Sequence, residues 1–441
     1  MKVRKDILNR REILLNSVSK DSVIILFSAS QSMRNGDNYY PFRQDSNFYY
    51  MTGFDEENAI ALLLPDTGEY ILFCQEHDPE HAVWLGDFIG TKAAVSDYGA
   101  DQAYSIEVAD ELLPSFLKNK KRIYFNAPHG FLPAVRFDLW LNSISGMSRK
   151  GVNVPQEFVN VDELLAEMRL IKSESEIDIM RRAAAITAEA QKKTMQSCAP
   201  GKYEYELEAE LRYHYIRNGG VSVAFDTIVA SGANACTLHY NKNNKKLHDG
   251  ELLLVDTGVE YQMYAADITR TYPVNGRFTD VQKAVYQAVL ATQLRVIDAV
   301  KPGVRYSELQ ELAIESTTAE LLKLGILHGD LKDLIESKAY EQFYMHNIGH
   351  WLGIDSHDVG SYFSEGDWRE LKPGMVLTVE PGIYIRESID GVDPKWWNIG
   401  VRIEDDVLVT ESGYEILTSA VPKDVDEIER LMVNAEDCET T

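Results

Sequence analysis

Cysteine is scarce in this chain: four residues in 441, Cys74, Cys198, Cys236 and Cys438, with no paired spacing and no CxxC. That argues against a disulfide framework and leaves reduced thiols as the expectation. Long apolar runs are also missing. No stretch approaches the roughly 18 residues of a membrane span. The opening segment, MKVRKDILNRREILLNSV, is charged throughout and lacks the apolar centre of a signal peptide. A cytoplasmic protein with no membrane partner is therefore expected. Positive charge is in deficit, with 44 Lys plus Arg against 69 Asp plus Glu and a formal charge of −25. A nucleic-acid partner would need a basic footprint, so none is expected. Net charge says little about a small substrate. HExxH and zinc-finger patterns are absent, as are short repeats, low-complexity tracts and Pro/Gly-rich linkers.

What remains is the composition of a globular protein, 45% hydrophobic, 26% charged and 10% aromatic. At this length one core is too few, and two domains are the expectation. The first part alternates strands and helices: SVIILFSAS, AIALLLP, YILFCQ and RIYFNAP are short apolar runs bounded by turn residues. It reads as an α/β domain. Near Leu170 the pattern changes to long helical periodicity, and SESE, Ser173 to Glu176, has the form of a capping box. The boundary is placed there, giving domains 1–169 and 170–441. The second part mixes long helices irregularly with strands, as an α+β domain does. ELLLVDTGVEYQMYAADITRTYPV reads as two strands joined by a turn. GMVLTVEPGIYI and GVRIEDDVLVT read as further strands, and KYEYELEAELRYHYIRNGG as a helix closing on glycines.

Two features carry chemistry. HNIGHWLGIDSHD, His346 to Asp358, holds three of the ten histidines in the chain. Four carboxylates, Asp256, Asp267, Glu380 and Glu404, stand in or at the ends of apolar strand runs. An isolated carboxylate there is expensive unless it is paired or binds a metal. Any single one reads equally well as a satisfied structural residue; four together with His350 do not. Five ligands rich in carboxylate oxygen exceed one tetrahedral zinc. They suit a pair of harder divalent ions, manganese first, with cobalt or zinc also able to occupy such a site. His77 and His81, four apart in HDPEH with no Glu directly after His77, read as surface residues.

VDTG…AADITRT, HxxGHxxGxxxHD, TVEPGIY and VRIEDD follow in the order found in the M24 pita-bread metallopeptidases, and the sequence resembles that family over nearly its whole length. YPFRQDSNFYYMTGF is similar to the amino-terminal domain of bacterial aminopeptidase P, the Xaa-Pro aminopeptidases. The resemblance implies a pita-bread catalytic domain binding two divalent metals through Asp256, Asp267, His350, Glu380 and Glu404. A water shared by two such ions is a hydroxide source at neutral pH. Glu380 would take and return the proton, and His239, His346 and His357 would face the substrate and its developing charge. Arg402, two residues before Glu404 on one strand face, would orient that carboxylate, the alternative being a surface salt bridge. Tyr384 would support the site or the proline pocket. The family likeness further implies peptide substrates with proline second and a homodimer or homotetramer. In such an oligomer Asp37 and Trp84 of one subunit would help wall the site of another; ordinary core is the alternative for Trp84.

Four rivals stand beside this reading. Prolidase, an Xaa-Pro dipeptidase, shares the carboxy-terminal motifs. Methionine aminopeptidases usually lack so long an amino-terminal domain. Non-catalytic pita-bread modules and metal-free creatinase-type enzymes lack the five ligands that are intact here.

Overall fold

The computed structural model describes residues 5–126, 133–364, 366–387 and 389–433. Cys438 and the last two residues of RIYFNAP lie outside them. The chain divides into two compact units, Met1–Met168 and Arg169–Thr441.

The first unit is built on a six-stranded mixed sheet. In chain order its strands are β1 (Ser22–Phe27), β2 (Ile60–Leu64), β3 (Glu69–Cys74), β4 (Gln102–Ser105), β5 (Arg122–Phe125) and β6 (Glu157–Asn160). Their spatial order is β4-β3-β2-β1-β5-β6. β1 pairs antiparallel with β2 and parallel with β5. All six residues of β1 are buried, which is why its sequence is a continuous apolar run rather than an alternating one. On one face Val23, Ile25, Phe27, Leu62 and Phe73 meet Leu113 and Leu117 of helix α2 (Ala109–Leu117) and Trp140 of α3 (Pro133–Ser145). The Trp140 indole is buried but donates to Asp110 Oδ1 at 2.8 Å, so its N–H is satisfied. Helix α1 (Lys5–Ser17) packs against β2. The strands foreseen from sequence are present. The two sheet edges, β4 and β6, were not foreseen, because they are four residues long and only half-buried.

The second unit surrounds a large apolar core with helices. α4 (Glu174–Ser197) starts where SESE predicts: the Glu176 carboxylate accepts from the Ser173 backbone N–H at 2.9 Å and from its hydroxyl at 2.8 Å. α5 (Glu204–Arg217) ends before Gly219, whose φ of +90° suits the chain reversal that follows. α6 (Asp280–Ala299) and α7 (Tyr306–Lys323) pack together.

Against these helices lie strands β7 (Ile228–Ser231), β8 (Leu252–Thr257) and β9 (Ile268–Pro273), antiparallel in that order. The later strands are β10 (Val376–Val379), β11 (Gly382–Ile385), β12 (Ile399–Arg402), β13 (Asp405–Val409) and β14 (Tyr414–Ile416). β10 pairs with β13, β13 with β14, and β11 with β12. The sequence suggests long unbroken strands here, and the structure corrects that. The hairpin turns at Gln262 and Met263, both at positive φ, but each of its arms breaks on the way. One arm breaks at Gly258, the other at Ala266–Asp267. Gly258 is required by close approach: a Cβ there would sit 1.6 Å from the Ala266 carbonyl oxygen. GMVLTVEPGIYI breaks at Glu380–Pro381 and GVRIEDDVLVT at Ile403–Glu404, each passing from one small sheet to another. A strand leaving its ladder frees its side chain from the in-out alternation. Three of the four carboxylates, Asp267, Glu380 and Glu404, stand at such breaks.

Candidate metal centre

The breaks converge. An open cleft of about 870 Å³ in the second unit is lined by Asp256, Asp267, His350, Glu380 and Glu404, together with His239, His346, His357 and Arg402. His350 Nε2 stands 3.6 Å from Asp267 Oδ2 and 3.6 Å from Glu380 Oε1. Ligand atoms of Asp267, His350 and Glu404 all lie within 4.8 Å of one another.

Each side chain is held from behind. The His350 loop is stitched to β10: Thr378 N donates to the His350 carbonyl at 2.9 Å and Glu380 N to that of Ile348 at 2.8 Å. Gly349 permits this contact, since a Cβ there would sit 2.0 Å from the Thr378 carbonyl oxygen. His350 Nδ1 faces the Trp351 carbonyl at 2.9 Å. A carbonyl only accepts, so Nδ1 carries the proton and Nε2 is left free toward the acids. The Thr269 hydroxyl donates to Glu404 Oε2 at 2.6 Å, and Asp406 Oδ2 accepts from Asp267 N at 3.1 Å.

Without a cation, the buried acids of this centre favour their protonated forms. Burial, then the neighbouring Glu404 and Asp256, push the Asp267 carboxyl well above its ordinary range. Burial followed by Glu380 and Asp256 does the same to Glu404. Burial raises Glu380 to about 8 although Arg402 opposes it. Burial lowers His350 to about 4, with His357 adding to the effect. Asp256 Oδ1 and Asp267 Oδ1 are buried without a hydrogen-bond partner. Acceptors of this kind are rare in folded proteins. A donor set of four carboxylates and one imidazole with two orphaned oxygens fits divalent cations, which replace the protons the site would otherwise hold.

Arg402 is the clearest departure from expectation. Its burial excludes the surface alternative, but its ion-pair partner is Asp256, at 2.6 Å, rather than Glu404. Its hydrogen-bonded route to Glu404 runs through Thr269, whose hydroxyl accepts from Arg402 Nε at 3.3 Å, while its charge also acts on Glu404 directly. The break at Ile403–Glu404 removes the shared strand face that a direct contact would need. Of the two roles open to Tyr384, the structure leaves support of the site: it is fully buried among Ile228, Ala230 and Leu254 and does not line the cleft. Its hydroxyl accepts from Arg402 Nη1 at 3.0 Å and meets His346 Nε2 at 2.9 Å. His346 Nδ1 faces the Asn347 carbonyl at 2.8 Å, so Nε2 accepts from Tyr384. Burial, and then Arg402, lower His346 to about 4, consistent with that neutral tautomer.

His239 and His357 are exposed in the cleft, and the His357 ring packs on His350 at 4.2 Å between centroids. Asp37 and Trp84 belong to the first unit. Asp37 lies in an exposed hairpin, and Trp84 is 84% exposed on helix Pro79–Leu85, so it is not core. His77 is exposed and paired with Asp87, while His81 stacks on Phe88.

Sequence reasoning missed the supports. Arg270, fully buried, binds Asp405 at 2.7 Å and the Glu404 carbonyl at 2.6 Å, and Lys423 reaches Asp405 at 2.6 Å. Burial pushes Asp405 up, but Arg270 and Lys423 outweigh it and hold the carboxyl low. The available signal was a charge within each apolar strand, Arg270 in DITRT and Asp405 in EDD.

A family model described as metallopeptidase family M24 matches residues 178–411, and one described as aminopeptidase P, N-terminal domain, matches residues 7–124. The Xaa-Pro aminopeptidase of Haemophilus influenzae is 44% identical over 425 residues, covering 96% of each chain. The structure of Pseudomonas aeruginosa aminopeptidase PepP matches with a TM-score of 0.96 at 45% identity over 99% of both chains. Zinc-substituted Escherichia coli aminopeptidase P, solved in complex with product, matches with a TM-score of 0.95 at 39% identity, again over 99% of each. With an aminopeptidase P amino-terminal domain followed by a pita-bread domain, the chain belongs to metallopeptidase family M24.

Proposed function

We propose that this protein is a metal-dependent Xaa-Pro aminopeptidase, releasing the amino-terminal residue of peptides whose second residue is proline, with residues 170–441 carrying the chemistry. The observation that carries the reading is the pair of orphaned oxygens on Asp256 and Asp267, beside His350, Glu380 and Glu404. These five residues would hold two divalent ions. Manganese suits an oxygen-rich set with one imidazole, and cobalt or zinc would be the substitutes. Bound there, such ions acidify water and polarise a carbonyl.

The remaining work falls to the side chains. Glu380, at the mouth of the β10 break, takes a proton from the attacking water and returns it to the proline nitrogen as the bond breaks. That nitrogen has no N–H, so the leaving group must be protonated without help from an amide hydrogen bond to the enzyme. His239 and His357, exposed in the cleft, donate to the oxygen that gains charge. Arg402 holds Asp256, and through the Tyr384 hydroxyl it fixes the ring of His346. The family likeness supports a homodimer or homotetramer in which Asp37 and Trp84 reach a neighbouring subunit's site.

The test is a comparison of Ala-Pro-Gly with Ala-Pro as substrates of the manganese-loaded protein. Preferential release of alanine from the tripeptide is expected. Hydrolysis confined to the dipeptide would instead make the enzyme a prolidase.

A further inference from the structure

An aromatic wall leaves the metal centre and climbs to the mouth of the cleft. It begins at Tyr306, whose hydroxyl donates to the carbonyl of Gly349, the residue before His350. The Tyr306 ring meets Tyr362 at 4.6 Å and Trp368 at 6.5 Å between centroids, and Trp368 meets Phe363 at 4.2 Å. All four rings line the cleft that holds His350 and Glu380. Exposure rises outward: Tyr306 is 4% exposed, Trp368 38% and Phe363 52%. Two large rings left open to water at the lip of a reaction cleft have no part in any step derived above.

The rings are presented by a small hairpin, Phe363–Ser364 paired with Asp367–Trp368. It is fixed at its base: Arg369 N donates to the Tyr362 carbonyl at 2.8 Å and Tyr306 N to the Arg369 carbonyl at 3.0 Å. Trp351, next to His350, stacks on Tyr362 at 5.2 Å. The wall is thus tied to the same backbone that carries the metal-site histidine.

We propose that Phe363 and Trp368 form a binding subsite for an apolar or aromatic side chain one or two residues beyond the proline of a peptide substrate. The inference rests on the proline-directed aminopeptidase reading. Such an enzyme has one residue on the amino side of the cut bond, so only the leaving peptide has the length to run outward. From Tyr306 to Trp368 and on to Phe363 the ring steps are 6.5 and 4.2 Å. Even laid end to end, at 3.3–3.6 Å per extended residue, those steps accommodate no more than about three residues. The subsite therefore favours tripeptides and longer chains with a ring or branched aliphatic group at the third or fourth position.

The experiment measures kcat/KM of the manganese-loaded full chain on Ala-Pro-Gly-Gly, Ala-Pro-Phe-Gly and Ala-Pro-Gly-Phe. A phenylalanine peptide should exceed the glycine peptide by about 3- to 10-fold, the range expected for one aromatic contact. Phe363→Ala and Trp368→Ala should each bring that ratio toward one. Phe363 is the more exposed of the two, so its variant stays interpretable if loss of Trp368 disturbs Tyr306. Equal kcat/KM on all three peptides, or a preference that survives both substitutions, overturns the subsite while leaving the aminopeptidase reading intact. If no peptide is cleaved, the aminopeptidase reading fails and the subsite fails with it.

Discussion

Asp267 and Glu380 show how single residues set the site's behaviour. Without a cation, Glu380 holds its proton to about pH 8, against an ordinary value of 4.5. A carboxyl raised in the folded state stabilises the fold fully below its unfolded pKa and loses that contribution as pH rises through the folded value. The chelated protein should therefore lose stability between about pH 4.5 and 8, by something on the order of a few kcal/mol. Metal should abolish the loss, because ions take the place of the protons. Urea midpoints at pH 5 and pH 8, with and without metal, check this; a chelated protein equally stable at both would contradict the charge accounting. Histidine roles separate at the same scale. His350→Ala should deplete bound metal, whereas His357→Ala should leave it bound and lower turnover by about 10²–10³-fold, the cost of one lost donor to developing charge. Metal content and turnover measured together for both variants test the assignment, which is reversed if His357→Ala is the one that loses metal.

Elements matter because three of the four acids sit where strands break. The hairpin arms, the Glu380–Pro381 step and the Ile403–Glu404 step each leave one ladder for another. The freed backbone is caught across the interface, with Glu404 N donating to the Thr269 carbonyl at 3.1 Å. Gly258→Ala would set a methyl against the Ala266 carbonyl. We expect it to destabilise the fold by about 3 kcal/mol or more and to weaken metal retention by moving Asp267. A urea titration with metal analysis measures both, and unchanged metal binding would disconnect the break from the site. This scale also marks what was legible in the sequence. The burial of β1 and the start of α4 follow from local pattern, an apolar run and a capping box. The breaks do not. VRIEDD looks like one strand because its residues have strand character throughout, and only the partner hairpin determines where it changes sheets. For the same reason the two-residue spacing points Arg402 toward Glu404, when its ion pair is with Asp256, 146 residues distant. Likewise, nothing local in TVEPGIY signals that Tyr384 is buried behind Arg402.

For the whole molecule, the five residues proposed as metal ligands come from four segments between residues 256 and 404, brought together by two broken hairpins and the His350 loop. Their gathering in one cleft depends on the fold of the second unit, while their chemical types were visible in the sequence as charges the apolar runs did not need. Ions that bind only the folded arrangement should raise its stability by mass action, by about 2.7 kcal/mol at a hundredfold excess over Kd. The most direct measurement follows metal content and hydrolysis of Ala-Pro-Gly on one sample through chelation and reloading. Two divalent ions per chain are expected, with loss of alanine release as they are removed and its return when manganese is restored. Alanine release that persists after exhaustive chelation would contradict that expectation.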